Sequence, residues 1–140
     1  MKTKILSIAI LMLSIIVFSC KKETPLPGTF KLGETFELSP ANPSADSDNL
    51  SITYRNIEED SRCPNGAICV WEGRAVVNFE FVSGIKSYNV QLMDWAGRPE
   101  MAKDTVGKHI VHLEVVNPYP EYNAPLDEED YRFSLNITTL

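Results

Sequence analysis

The chain has 140 residues, of which 13 are Lys or Arg and 19 are Asp or Glu, so its formal net charge is −6. This length corresponds to one ordinary domain. Because an acidic chain without a basic stripe repels phosphate groups, we expect neither a nucleic-acid partner nor electrostatic attraction to anionic lipid.

The N-terminal residues 1–19 have the features of an export signal. Lys2 and Lys4 precede an uncharged apolar run at residues 5–18, which ends at Ser19. A basic start followed by about 7–15 apolar residues is typical of a secretory signal peptide. The alternative is a transmembrane helix, which needs about 20 apolar residues and is less well supported. We therefore predict a signal peptide at residues 1–19.

The apolar run ends in Val17-Phe18-Ser19-Cys20, which resembles the lipobox at which bacterial lipoprotein processing acylates a cysteine and cleaves just before it. We predict that Cys20 carries lipid and that residues 20–28 form a proline-rich tether. Acyl chains contribute about 0.8 kcal/mol per buried methylene, so they can hold a protein at a membrane without a spanning helix. Lys21 and Lys22 offer no acidic sorting signal, so we expect a periplasm-facing position on the outer membrane.

The remaining cysteines are Cys63 and Cys69. In an oxidising envelope, two cysteines six positions apart most simply form a disulfide. Thiol oxidoreductases favour two intervening residues and a helix N-terminus beside the first thiol, so a redox role is less well supported. Metal binding by the pair ranks between these alternatives.

From residue 29 onward, apolar and polar residues alternate, which is typical of half-buried β-strands. We expect one all-β domain over residues 29–140, an antiparallel, immunoglobulin-like sandwich of six to eight strands, with a compact barrel as the alternative. Ser83-Gly84 predicts a tight hairpin. The alternating runs are residues 50–54, 75–81, 88–92, 111–115 and 131–137, with a further strand or short pair in 29–38. Loops are predicted at 40–49, 96–107 and 117–130.

The most individual segment is residues 60–73, DSRCPNGAICVWEG. Pro64 and Asn65 suit the central positions of a β-turn from Cys63 to Gly66, which would bring Cys69 toward Cys63. Trp71 then leads into the strand at residues 75–81, and we expect its side chain in the core.

This segment resembles the signature of an uncharacterised family of small bacterial secreted proteins and lipoproteins. The signature is an acidic residue, Ser-Arg-Cys-Pro, four variable residues, Cys, an aliphatic residue, Trp, and Gly two places on. The matching residues are Asp60, Ser61, Arg62, Cys63, Pro64, Cys69, Val70, Trp71 and Gly73. A looser similarity extends over residues 30–140. The resemblance implies an envelope β-domain with a disulfide and implies no established activity.

Few other residues suggest chemistry. His109 and His112 are three apart on a predicted strand and so point to opposite faces. The acidic clusters at residues 46–49 and 127–130 lack the full pattern of a calcium loop. Neither a phosphate loop nor a nucleophile elbow is visible, so we predict no catalytic residue, metal or cofactor.

The sequence therefore favours a non-enzymatic binding or structural module of the envelope. Its expected partners are a membrane, through the lipid, and an envelope protein or glycan. A protease inhibitor that presents the Cys63–Cys69 loop is an alternative, because a disulfide-closed loop is preorganised. A small hydrolase with carboxylates in a loop cleft ranks third.

Overall fold

The computed structural model describes residues 28–140, and the predicted signal peptide, Cys20 and the tether up to residue 27 lie outside this range. Eight β-strands and two short 3-10 helices follow one another along the described chain. The strands are β1 (Thr35–Leu38), β2 (Ser44–Ser47), β3 (Leu50–Asp60), β4 (Ala75–Ser83), β5 (Lys86–Asp94), β6 (Lys103–Val106), β7 (His109–Asn117) and β8 (Arg132–Thr139), and the 3-10 helices are Pro99–Ala102 and Glu128–Asp130. In this part of the chain no helix is long and apolar enough to span a membrane.

The strands form two four-stranded antiparallel sheets, one with the order β2-β3-β4-β5 and the other β1-β8-β7-β6. The predicted sandwich is therefore confirmed, and the barrel alternative is wrong because the sheets do not close. The chain crosses between the sheets after β1 and after β5, so each sheet is largely a meander. In immunoglobulin constant domains, whose strands are lettered A to G in chain order, the two sheets have the strand orders ABED and CFG. This topology differs from the one seen here, so the similarity lies in the two-layer architecture alone.

The core lies between the sheets and is aromatic at its centre. Phe133 of β8 stacks on Tyr54 of β3, with ring centroids 4.7 Å apart, and meets Phe79 of β4 edge to face at 5.9 Å. Because these rings come from both sheets, their packing fixes how the sheets face each other. The largest fully buried side chains are Phe79, Phe81, Phe133, Leu38, Ile52, Leu92, Leu113, Leu135, Ile137, Val77, Val90 and Val111.

Two strands lie where the sequence predicts loops, so those predictions are wrong there. Strands β2 and β6 have four residues each, and each buries one apolar side chain, Ala45 and Val106. In the sequence, four residues with a single apolar member cannot be distinguished from a loop. Strand β3 also extends to Asp60, beyond the predicted residues 50–54. The prediction ended too early because two register shifts against β4 interrupt the alternation of apolar and polar residues after Tyr54.

The two ends of the sandwich are built differently. At the entry end, the carbonyl of Gly28 accepts a hydrogen bond from the amide of Asp46 at 2.9 Å, and Asp46 pairs with Ser51 near the start of β3. The predicted hairpin after Ser83 is confirmed at the same end. At the loop end lie the connections that leave β3, β5 and β7. Since β3 has 11 residues, the two ends are about 30 Å apart.

Trp71 is not part of the core, so that prediction is wrong. Its side chain is 80% exposed. Strand β4 begins only at Ala75, and Gly73, with φ of +67°, turns the chain between the two residues. The indole therefore lies outside the alternation that directs side chains into the core.

Phe133→Ala should lower the free energy of unfolding by about 3–5 kcal/mol, because it leaves a cavity among the central aromatic rings. Trp71→Ala removes a still larger side chain but should cost less than about 1 kcal/mol, because that side chain is exposed. Urea unfolding followed by circular dichroism measures both values. Losses of equal size in the two variants would contradict this assignment of core and surface.

Candidate functional site

Residues 61–74, which we call the stapled loop, connect β3 to β4 at the loop end. The hydrogen bonds between β3 and β4 continue into the base of this loop. The amide of Ser61 donates to the carbonyl of Arg74 at 2.8 Å, and the amide of Cys63 donates to the carbonyl of Glu72 at 2.8 Å. Cys63 and Cys69 form the predicted disulfide, with their Cα atoms 6.0 Å apart. The disulfide therefore closes the tip of an extended hairpin.

The β-turn in this tip lies one residue later than predicted. The amide of Ala67 donates to the carbonyl of Pro64 at 3.0 Å, so Asn65 and Gly66 occupy the central positions. Gly66 has φ of +84°. A positive φ at the second central residue is typical of a type II turn and favours glycine there. Pro64 is thus the first residue of the turn instead of the second.

Gly73 lies where two backbone segments touch. A Cβ atom at this position would be 1.7 Å from the carbonyl oxygen of Ser61, and the residue has a positive φ. Both facts exclude any other residue without movement of the backbone. The last position of the signature is therefore explained by the close packing at the base of the hairpin.

The β7–β8 connection holds the tip of the stapled loop from outside. The amide of Asn65 donates to the carbonyl of Pro120 at 2.9 Å, and the amide of Tyr122 donates to the carbonyl of Asn65 at 3.0 Å. The side-chain amide of Asn65 donates to Oε1 of Glu121 at 2.7 Å. A covalent bond and three hydrogen bonds thus fix the tip, so its conformation is preorganised.

Arg62, at the base of the stapled loop, is buried, with 5% of its surface exposed. Its Nε and Nη2 atoms donate to the two carboxylate oxygens of Asp60, at 2.9 and 2.7 Å. Its Nη1 atom donates to the carbonyl of Val116 at 2.6 Å and to Oδ2 of Asp94 at 3.3 Å, and Nη2 also donates to the carbonyl of Pro118 at 3.1 Å. All five N–H groups of the guanidinium therefore have an acceptor.

These contacts tie the two sheets together at the loop end. Asp60 ends β3 and Asp94 ends β5, whereas Val116 belongs to β7 in the other sheet. Burial disfavours the charge of Arg62, but the hydrogen bonds to Asp60 and the charges of Asp60 and Asp94 outweigh it and raise the pKa of Arg62. The guanidinium is therefore a charged structural clamp and is not available to a ligand.

Two tyrosines extend this polar network. The hydroxyl of Tyr131 donates to Oδ2 of Asp60 at 2.9 Å, and burial together with this bond raises the pKa of Tyr131 to about 12. The hydroxyl of Tyr54 donates to Glu128 at 2.7 Å and accepts from the amide of Ile57 at 2.8 Å. Burial, followed by the hydrogen bond to Glu128, raises the pKa of Tyr54 as well. Both hydroxyls stay protonated at neutral pH and serve as structural donors.

Three large apolar side chains of the stapled loop point into solvent. Ile68, Val70 and Trp71 are 103%, 96% and 80% exposed, and we call them the apolar patch. Single exposed apolar residues are common on soluble domains. Three within four positions of a fixed loop are typical of an interaction site.

A groove of about 760 Å³ adjoins the apolar patch. Val70 and Trp71 line it from the stapled loop, and Trp95 lines it from the connection that follows β5. The guanidinium carbons of Arg74 and Arg98 lie 5.4 and 5.6 Å from the ring of Trp95, within cation–π range. The groove thus combines two indoles with charged groups.

One carboxylate of the groove, that of Glu59, is held in its charged form. Glu59 accepts hydrogen bonds from the hydroxyl of Ser61 and from Arg74, and these lower its pKa. A general acid needs a raised pKa instead. Across residues 28–140, no group of three or more His, Cys, Asp or Glu side chains is placed to hold a metal ion. The arrangement suits binding through aromatic and charged contacts.

The sequence pattern singled out the segment that forms this site, but the prediction placed one of its residues, Trp71, wrongly. Cys63 and Cys69 are paired as predicted, Trp71 is at the surface, and Cys20 lies outside the described residues. The burial of Arg62 and the contribution of Trp95 were not predicted. The sequence signal for Arg62 was the acidic residue two positions before it.

No protein-family model matches the chain, and no curated protein or solved structure is significantly similar to it. Membership in the signature family therefore stays a prediction.

Arg62→Met should lower the free energy of unfolding by about 3–5 kcal/mol, because it leaves Asp60 and the carbonyl of Val116 buried without their partner. Arg62→Lys keeps the charge but loses the two-pronged contact, so it should restore less than half of that loss. Arg55→Met is the matched control, because it breaks an exposed ion pair with Glu80 and should cost less than about 1 kcal/mol. Denaturant unfolding of the three variants decides the matter, and an Arg62→Met protein as stable as Arg55→Met would refute the clamp.

Proposed function

We propose that this chain is a lipid-anchored, non-enzymatic binding module of the bacterial envelope whose apolar patch contacts a partner protein. The observation that carries this proposal is the exposure of Ile68, Val70 and Trp71 on a loop that is already fixed. Burial of apolar surface against a partner contributes about 25 cal/mol per Å². A preformed loop loses little conformational entropy on binding, so more of that gain is kept.

The composition of the site supports a protein partner. Residues that dominate binding energies in protein interfaces are enriched in Trp and Arg. Trp71 and Trp95 both line the groove, together with Arg74 and Arg98. Large aromatic side chains contribute much contact area and have few rotatable bonds.

The separation of the two ends supports the proposed anchoring. Gly28 lies at the entry end and the apolar patch at the loop end, about 30 Å away along β3. The tether from Cys20 to Gly28 spans at most about 30 Å when fully extended. Lipid at Cys20 would therefore hold the entry end near the membrane and present the patch away from it. On the periplasmic leaflet of the outer membrane, as we propose, the patch faces the periplasm.

A protease inhibitor is less well supported than a binding module. Inhibitory loops enter an active-site cleft as extended segments, but residues 64–67 form a β-turn. The backbone of Asn65 is also hydrogen bonded to Pro120 and Tyr122, so one side of the loop is already occupied. A glycan that stacks on Trp71 remains as an alternative ligand for the same surface, and the experiment below separates it from a protein.

A photoreactive benzophenone side chain in place of Ile68 should crosslink a discrete protein in intact cells, because it lies in the proposed contact. The same group in place of Ile85 is the matched control, since Ile85 is 102% exposed at the opposite, entry end. Adding Trp71→Ala to the Ile68 probe should reduce the crosslinked product at least about fivefold, as expected for an aromatic residue that contributes more than 1 kcal/mol.

Electrophoresis and mass spectrometry of the crosslinked species read out this experiment. The same products from both probe positions, or products that Trp71→Ala does not reduce, would refute the patch as a binding site. A crosslinked species whose added mass a glycosidase removes, and in which mass spectrometry finds peptides of this chain alone, would replace the protein partner with a glycan.

Intact-mass spectrometry of the membrane-extracted protein should show a chain that begins at Cys20 and carries acyl chains. Cys20→Ala should abolish both the acylation and the processing. A soluble chain with an unmodified Cys20 would refute the anchor. Digestion of every copy by protease added to intact cells would refute the periplasm-facing position.

A further inference from the structure

The charged groups that line the groove leave one carboxylate without a partner. Glu59 is paired with Arg74, whose Nε and Nη2 atoms lie 3.2 and 3.1 Å from its Oε2. Arg98 is paired with Glu100. Among the residues that the structure describes, Glu72 makes no side-chain hydrogen bond or ion pair. With Glu100 included, three carboxylates face two guanidinium groups, and the carboxylate left without a partner is that of Glu72.

Of the two indoles in the groove, one has charged partners and the other has none. Trp95 already has the guanidinium groups of Arg74 and Arg98 within cation–π range. No such contact involves Trp71 in residues 28–140, although its ring is largely exposed and lines the same groove. An exposed indole and an unpaired carboxylate are the two groups that attract a cation most strongly.

The backbone of Gly97 packs closely against this carboxylate and against Trp95. A Cβ atom built on Gly97 would lie 3.3 Å from Oε1 of Glu72 and 3.4 Å from Nε1 of Trp95. Any side chain at this position would therefore displace the carboxylate of Glu72 or the ring of Trp95. Gly97 does not have a positive φ, so its backbone conformation does not account for the glycine.

The charges of the loop end define the chemistry of the partner further. Residues 127–130 are four consecutive acidic residues, and Glu121 lies beside the tip of the stapled loop. This field repels an acidic protein, an anionic membrane and a second copy of the same end, and it attracts a basic segment.

We propose that the partner inserts a lysine or arginine side chain into this groove, with the aliphatic stem against Trp71 and the positive charge at Glu72. The proposal rests on the proposed function and names the chemistry of the group that the site recognises. Long basic side chains suit the groove because their stems are apolar and their ends are charged.

The probe for this proposal is the peptide acetyl-Val-Lys-Val-amide, compared with the same peptide acetylated on the lysine Nζ. Binding to the full chain, labelled with ¹⁵N and held in nonionic detergent, is followed through the indole N–H signals of Trp71 and Trp95. Both signals should shift with the lysine peptide. The acetylated peptide should bind at least about fivefold more weakly, because it keeps the apolar stem but lacks the positive charge that Glu72 attracts.

Two charge reversals separate the site from the general field of the domain. Glu72→Lys and Glu129→Lys change the net charge equally, but Glu129 does not line the groove. Glu72→Lys should weaken binding of the lysine peptide at least about tenfold, and Glu129→Lys less than about twofold, since only the first places a like charge at the ligand. Gly97→Val, which leaves the charge unchanged, should also weaken binding, because its side chain would displace the carboxylate of Glu72 and the ring of Trp95.

Several results would overturn the proposal. They are equal shifts with both peptides, equal weakening by the two charge reversals, or no shift of either indole with the lysine peptide. If the probe at residue 68 still captures a protein in a Trp71-dependent manner, the binding function stands and only the basic side chain is refuted. If that capture also fails, the binding function itself is refuted.

Discussion

The paired contact between Arg62 and Asp60 is the constraint on which the loop end depends. A charge as deeply buried as that of Arg62 is costly unless every donor is satisfied, and here the acceptors come from both sheets. The positions of β3, β5 and β7 at this end are therefore coupled, since moving any of them would leave a donor or acceptor unpaired. Because Arg62 belongs to the base of the stapled loop, these contacts fix the loop at its base, and the disulfide closes it at its tip.

The residues of the signature divide into two groups by what they contact. Asp60, Arg62 and Gly73 have roles inside the domain, as ion pair, clamp and point of close backbone packing. Val70 and Trp71 have none, because exposing an apolar side chain contributes nothing to the stability of the fold. The signature segment thus contains both the residues that fix the loop and the exposed apolar residues that the loop presents.

The alternation of apolar and polar residues was sufficient to predict the sandwich, because a strand with one face on the core must repeat with period two. It failed for β2 and β6, in which a single buried residue makes no pattern. It also failed for Trp71, because an apolar residue near a strand resembles a core residue unless the turn at Gly73 is known.

The environment of Arg62 could not be predicted for a different reason. Its acceptors at Asp94, Val116 and Pro118 are 32, 54 and 56 positions away in the sequence. Local patterns carry no information on such contacts, which arise only when two sheets and three connections meet. The pairing with Asp60 is local, since the two residues are two positions apart, but it was not predicted because the predicted strand ended at residue 54.

The positions of the two ends also determine how the domain would bear mechanical load. Tension between the lipid that we propose at Cys20 and the partner that we propose on the stapled loop would run along the strands. In antiparallel sheets the hydrogen bonds lie perpendicular to the strands, so such a force acts on the bonds between β1 and β8 in shear. Bonds loaded in shear must break together, whereas bonds pulled apart across the strands open one after another. The proposed lipid and partner would therefore pull on opposite ends of the strands. This is the direction in which the domain best resists being pulled open.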